Sequence, residues 1–326
     1  MSLDTIDRKL FSLLQKDFPL NKEPYAALGL KLGIGGDEVI RRIEQLKSKG
    51  MVRQIAPIID SRRLGYQPTL VAMRVAEAEL ERVGSLISEH PGVSHCYERT
   101  HRFNVWFTLA LPAEVDVENE LEQFRNINGV QAAFSLPVVK EFKLSTHFSL
   151  DGEKPEKVAD RSKPGKMTQE VKLSPTDRQL INELQQDLPL TDTPFSAMAE
   201  HLGMSQDDFL ARCQSLQQYG IIRRFAAEVN HRQAGFMANA MTCWIVPPEK
   251  IEIIAPRLAE LSQVSHLYER KTNPLWSYNL FAMIHGNSKE VCQETANQVA
   301  TETGLSDYVM LFSTREFKKT RVKYLV

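Results

Sequence analysis

With 326 residues the chain is too long for one small core and has room for two to four modules. It is 42% hydrophobic and 25% charged, as ordinary globular domains are, and no apolar run is long enough to cross a bilayer. The net charge of -1 shows no overall basic excess, which argues against a surface built as a whole to grip nucleic acid.

In chain order, Asp4, Asp7 and Arg8 leave no apolar core for a signal peptide, so a cytoplasmic location is expected. Asp4 or Thr5 can cap a first helix that carries Ile6, Leu10, Leu13 and Leu14 on one face. A second helix covers Tyr25 to Leu32, Gly33 to Gly36 form a turn, and a third helix runs from Glu38 to Lys49 and ends at Gly50. Three short helices with a glycine turn between the last two describe a helix-turn-helix. Val52 to Asp60 then alternates as a wing strand. Strands near Thr69–Val75, Val93–Thr100, Asn104–Leu111 and Ala132–Leu144 follow, with helices near Glu79–Glu89 and Val115–Asn126. Strand-helix-strand-strand-helix-strand is the ferredoxin-like order.

The same programme then repeats. QKDFPLNKEPYAAL (residues 15–28) matches QQDLPLTDTPFSAM (185–198). Gly33, Gly50, Arg53 and Gly65 fall on Gly203, Gly220, Arg223 and Gly235. GVSHCYER (92–99) matches QVSHLYER (263–270), and after a four-residue insertion KEFK (140–143) matches REFK (315–318). The expected organisation is helix-turn-helix 1 over 1–64, ferredoxin-like domain 1 over 65–150, a linker over 151–172, helix-turn-helix 2 over 173–234 and ferredoxin-like domain 2 over 235–326. The linker is charged, rich in Lys, Pro and Gly, and lacks aromatic residues. The fold class is α+β, a tandem duplication of a winged helix-turn-helix and a βαββαβ domain. One face of each sheet is covered by its own helices; the other needs a partner, and the second copy is the obvious one. Cys96, Cys213, Cys243 and Cys292 form no CxxC pair, so reduced thiols are expected rather than a zinc site.

These features resemble the Lrp/AsnC family. SHCYERTHRFNVWFTL (94–109), RRFAAEVNHRQAGFMANAMTCW (223–244) and SHLYERKTNPLWSYNLFAMIHG (265–286) go further and are similar to the siroheme decarboxylases, Lrp-like enzymes of alternative heme and d1-type heme synthesis. That family usually pairs two related subunits, and here both look fused in one chain. The resemblance implies loss of carbon dioxide from the acetate side chains at C12 and C18 of siroheme. It implies no cofactor beyond the iron tetrapyrrole itself, and neither a GxGxxG nor a P-loop competes.

Siroheme is flat and carries eight carboxylates, so a site needs fixed cations, an apolar slot and a proton source. The cation candidates are Arg53, Arg223, Arg224, Arg232, Arg99 and Arg270, since a guanidinium binds carboxylates bidentately. Asn104 and Asn279 match across the copies and either hydrogen-bond a carboxylate or hold a strand end. Trp106 and Trp276, with Tyr97 and Tyr268, are candidate walls for the macrocycle or ordinary core. His101 and His231 each occur in only one copy, as an asymmetric site between unlike halves would require, and the family carries essential histidines in these two phrases. Each could supply the proton or bind the substrate iron, and which does which stays open. His95 and His266, common to both copies, read as structural; His90, His147, His201 and His285 read as ordinary.

Two other classes compete. A DNA-binding Lrp/AsnC-type regulator is supported by Arg41, Arg42, Lys47 and Lys49 on the third helix. It is opposed by Asp207 and Asp208, which open the equivalent helix of the second copy. A non-catalytic siroheme or heme carrier shares every arginine argument. Self-association through the sheets is expected, and DNA and membrane partners are not.

Overall fold

The structure is a computed structural model that describes residues 3–16, 18–144, 173–229 and 238–324. The first copy holds α1 (Thr5–Lys16), α2 (Pro24–Leu32), α3 (Gly36–Ser48), β1 (Val52–Ile59), β2 (Tyr66–Val75), α4 (Leu80–Glu89), β3 (Val93–Arg99), β4 (Val105–Pro112), α5 (Val117–Arg125) and β5 (Val130–Leu144). The second holds α6 (Pro175–Leu184), α7 (Pro194–His201), α8 (Gln206–Gln218), β6 (Ile222–Val229), β7 (Ala238–Trp244), α9 (Pro248–Glu260), β8 (Val264–Arg270), β9 (Leu280–Gly286), α10 (Lys289–Thr303) and β10 (Tyr308–Lys319). No described helix is long and apolar enough to cross a membrane. The linker expected over 151–172 lies outside the described residues.

The chain divides into two compact units. One contains the described residues of 3–64 and 173–229 together with Tyr324; the other contains 65–144 and 238–323. In the first unit the helix starts and stops follow local chemistry. Asp4 accepts the Asp7 N–H at 2.7 Å and caps α1, and Ser174 with Asp177 forms a capping box at α6. Gly33, Gly50, Gly203 and Gly220 adopt φ between 66° and 72° at helix ends, where a side chain would be strained. The wing strands differ from expectation. β1 and β6 pair with each other, antiparallel, with Ala56 opposite Ala226, its own counterpart 170 positions later. A lone strand cannot satisfy its backbone groups, and the duplicate supplies the missing partner. The Phe18 N–H donates to Phe225 O at 2.8 Å, and the Leu188 N–H to Ile55 O at 2.9 Å, so the twofold relation extends beyond the ladder.

In the second unit the two ferredoxin-like sheets close into one eight-stranded barrel, in the order β10-β3-β4-β2-β5-β8-β9-β7. The cross-copy seams are β5–β8 and β10–β3. Every neighbour is antiparallel, so β3 and β8 run the same way and a pseudo-twofold lies along the barrel axis. The helices cover the outside. Val71, Cys96, Phe107 and Leu121 form the core under α4 and α5, and Trp244, Leu267, Ile284 and Ala296 form the core under α9 and α10. The faces that needed a partner meet inside the barrel. There Ala72, Trp106, Phe134, Met241, Trp276, Phe281 and Leu311 make a third buried layer. Strand β10 reaches far enough to lay Phe317 on Gly84 of α4, where any Cβ would collide with the ring.

Candidate active site

His101 lies in the turn between β3 and β4, at one mouth of the barrel. Its Nδ1 accepts the Phe103 N–H at 3.0 Å. A nitrogen that accepts carries no proton, so in the neutral ring the proton sits on Nε2. Burial, and then the Arg102 charge, lower the pKa of His101 below its ordinary value. The ring is therefore neutral near pH 7 and presents an N–H.

Against His101 stands Trp276 from the insertion in the second copy, edge to face at 5.3 Å between centroids. Trp276 also meets Trp106 at 5.1 Å, Tyr278 at 5.1 Å and Phe103 at 6.2 Å. Unlike residues from the two copies thus converge at one mouth, as an asymmetric site requires. Trp106 and Trp276 are 1% and 3% exposed. They fill this layer with ring-on-ring packing, and Trp106 Nε1 donates to Phe103 O at 2.7 Å. Between the sheets at this level there are side chains where a flat slot was expected, because eight strands enclose room for little more than that.

Arg99 and Arg270 occupy matched places inside the same end. Arg99 donates to Leu311 O at 2.9 Å and Arg270 to Leu136 O at 2.8 Å, each across a seam onto the other copy. Arg270 also lies over the Tyr268 ring at 5.0 Å, and Arg99 over Tyr97 at 5.3 Å. Asn104 clips the end of β2: its side chain accepts the Val75 N–H at 2.9 Å and donates to Val75 O at 2.8 Å. Asn279 does the same to Val246, at 2.8 Å both ways. Of the two roles open for these asparagines, the structure gives them the strand-end bonds. Asn104→Ala should then lower unfolding stability by about 1–3 kcal/mol, read from the urea midpoint; an unchanged midpoint would contradict the clip.

Arg53, Arg223 and Arg224 belong to the other compact unit, on β1 and β6. Arg223 pairs with Asp60 at 3.0 Å, and Arg224 stands opposite Ile58 in the ladder. His231 and Arg232 lie outside the described residues.

Sequence reading passed over one group. Ser265 Oγ is 2.7 Å from His266 Nδ1 and 2.7 Å from His285 Nε2, which joins two buried rings through one hydroxyl. His285, read as ordinary, is 8% exposed. The first copy has Ala110 in its place, a difference of the same kind that singled out His101.

Two family models match the chain. Residues 63–143 and 233–318 match the model of the AsnC-like ligand binding domain. Residues 7–53 and 177–223 match the siroheme decarboxylase NirDL-like HTH domain. The chain is 40% identical to the siroheme decarboxylase of Hydrogenobacter thermophilus, over 97% of this chain and 94% of that one. The siroheme decarboxylase beta subunit of Methanosarcina barkeri is 45% identical and covers 45% of this chain with 97% of its own length, so a whole subunit there corresponds to about half here. The crystal structure of the siroheme decarboxylase NirDL in co-complex with an iron-uroporphyrin III analogue superposes with a TM-score of 0.75 at 36% identity, covering 99% of this chain and 95% of that one.

Proposed function

Because the chain belongs to the siroheme decarboxylase family, we propose that it is a carboxy-lyase that removes carbon dioxide from the C12 and C18 acetates of siroheme. The product is didecarboxysiroheme, for heme or d1-type heme synthesis. The observation that carries this reading is the end-to-end match to a siroheme decarboxylase, 97% of one chain on 94% of the other. The relative's complex with an iron-uroporphyrin analogue supports a polycarboxylate tetrapyrrole as the ligand.

In each decarboxylation the bond between methylene and carboxylate breaks and carbon dioxide leaves. The electron pair stays on the methylene carbon, in conjugation with the macrocycle, until a proton forms the methyl group. The filled barrel leaves the macrocycle to lie at the mouth, beside His101 and Trp276. His101 presents an N–H there. We assign His101 the proton step: in the neutral ring its Nε2–H can hydrogen-bond a substrate acetate, and the imidazolium, formed by a proton on Nδ1 in exchange for the Phe103 bond, is the acid that delivers the proton. Iron ligation, where the reading needs it, falls to His231. No cofactor beyond the substrate's own iron is called for.

The regulator reading is weakened by the charges on the third helices. Arg42 is held by Asp4, Asp7 and Glu38, and its side chain is 13% exposed. Arg41 pairs with Glu38, and Lys47 with Asp187. Cations neutralised at home have little left for phosphates. Anaerobic incubation with siroheme, followed by mass spectrometry, tests the proposal. Loss of two carbon dioxide units is expected; unchanged siroheme would leave only a carrier. Sequence-selective DNA binding at low salt would instead revive the regulator.

A further inference from the structure

The mouth that carries His101 holds a second group, which the function above leaves unused. Counted back from the matched Asn104 and Asn279, Tyr278 answers Phe103, Ser277 answers Arg102 and Trp276 answers His101. The first copy thus sets an imidazole and a guanidinium side by side in its turn, where the second sets an indole and a hydroxyl. The cation is as asymmetric as the histidine.

Arg102 is exposed, and its guanidinium carbon lies over the Phe103 ring, 5.4 Å from the centroid. His101 stacks on the same ring at 6.0 Å, with 22° between the planes. Phe103 is 2% exposed and is braced edge-on by Phe134 at 4.8 Å. One fixed ring therefore supports both groups. The Arg102 charge reaches His101 and also Tyr278, on which Asp307 acts in the opposite sense. No carboxylate forms an ion pair with Arg102 among the described residues. Trp276 Nε1, buried in the same aromatic layer, has no acceptor either. Arg99 is different: it is 6% exposed and donates to Leu311 O, so it is closed to a macrocycle lying at the mouth. A donor-rich mouth with an unpaired guanidinium suits a polyanion.

We propose that Arg102 is a specificity residue of this mouth, and that its guanidinium holds the propionate of the pyrrole ring whose acetate meets His101. This rests on the function proposed above. Each pyrrole ring of siroheme carries one acetate and one propionate on adjacent carbons, and His101 and Arg102 are adjacent in the chain. The carboxylate that leaves gives up its negative charge as carbon dioxide forms. A guanidinium clamped on it would stabilise bound substrate more than the transition state. The carboxylate that stays is therefore the one for Arg102. A second consequence follows. The pKa of His101 is lowered by burial first and by Arg102 next. Once a propionate neutralises Arg102, His101 is easier to protonate, at the step that needs an acid.

The test is an absorbance titration of the full chain, without turnover, using iron-uroporphyrin and iron-coproporphyrin. The second keeps the propionates and has methyl groups in place of the acetates. Arg102→Gln should weaken both about tenfold, and Arg102→Lys should keep most of the affinity. The variants should fold, because the side chain is exposed and its described contact is one ring. By NMR, His101 should titrate closer to 6.5 in free Arg102→Gln than in the parent, and stay where it is in Arg102→Lys. An unmoved His101 in Arg102→Gln would overturn the coupling. Weakening with iron-uroporphyrin alone would give Arg102 an acetate and overturn the assignment. Parent-like binding of both porphyrins by Arg102→Gln would remove Arg102 from the site and leave the enzymatic reading standing. A parent that bound neither porphyrin would overturn that reading as well.

Discussion

Replacing His101 with alanine should lower siroheme turnover about 10²–10⁴-fold, the usual range for losing a positioned proton donor. The fold should survive. The ring is half-buried at a turn, and it gives up one local bond to the Phe103 N–H and one face against Trp276. Binding of iron-uroporphyrin should change little, because the side chain serves the proton step and not iron ligation. His231→Ala should behave differently, with lost turnover accompanied by a changed absorption spectrum of bound iron-uroporphyrin. The pH profile gives a second reading. His101 has a lowered pKa, so its charged, more acidic form grows as pH falls below 6.5. A rate limited by proton donation from that form should rise in the same direction. Parent-like turnover in His101→Ala would remove it from the chemistry altogether.

Acid should open the barrel unit through the histidine pair. His266 is pushed down to about 4, by burial first and then by Lys319. His285 is pushed down to about 3, again by burial first. An unfolded histidine takes up its proton near 6.5. Between that value and the folded one the unfolded chain binds more protons, so stability is complete above pH 6.5 and drains away toward pH 4. We count one ring only, because a first proton on either histidine opposes a second across Ser265. One such shift is worth about 3 kcal/mol between pH 7 and pH 4. Urea unfolding at both pH values should show this loss in the parent, and show it much reduced in a His266→Gln, His285→Ala double variant. Equal acid losses in the two proteins would place the pH sensitivity elsewhere.

The cationic third helices show how a local reading can count charges correctly and still misjudge them. Arg41, Arg42 and Lys47 look available in sequence, where the acids within helical reach are Asp37, Glu38 and Glu44 of the same helix. Asp4 and Asp7 are 38 and 35 residues from Arg42, and Asp187 is 140 from Lys47. The matched Asn104 and Asn279 carry the opposite lesson. Their repetition in both copies marked them as important, yet the choice between ligand and strand end depended on Val75 and Val246, 29 and 33 residues earlier.

The sequence by itself determined the duplication, the order of helices and strands in each copy, and the glycines that end the helices. It also determined the contrast between copies at His101. All of these rest on spacing, capping and backbone freedom, which act within a few residues. Only the tertiary structure decided that β1 seeks β6, that two half-covered sheets close into one barrel, and that an aromatic layer with Trp106 and Trp276 fills its interior beside His101. It also brought Trp276 onto His101 and set Ser265 between two histidines. Those outcomes depend on which strand edges meet and in what register, and that choice is made by burying the faces each copy leaves uncovered.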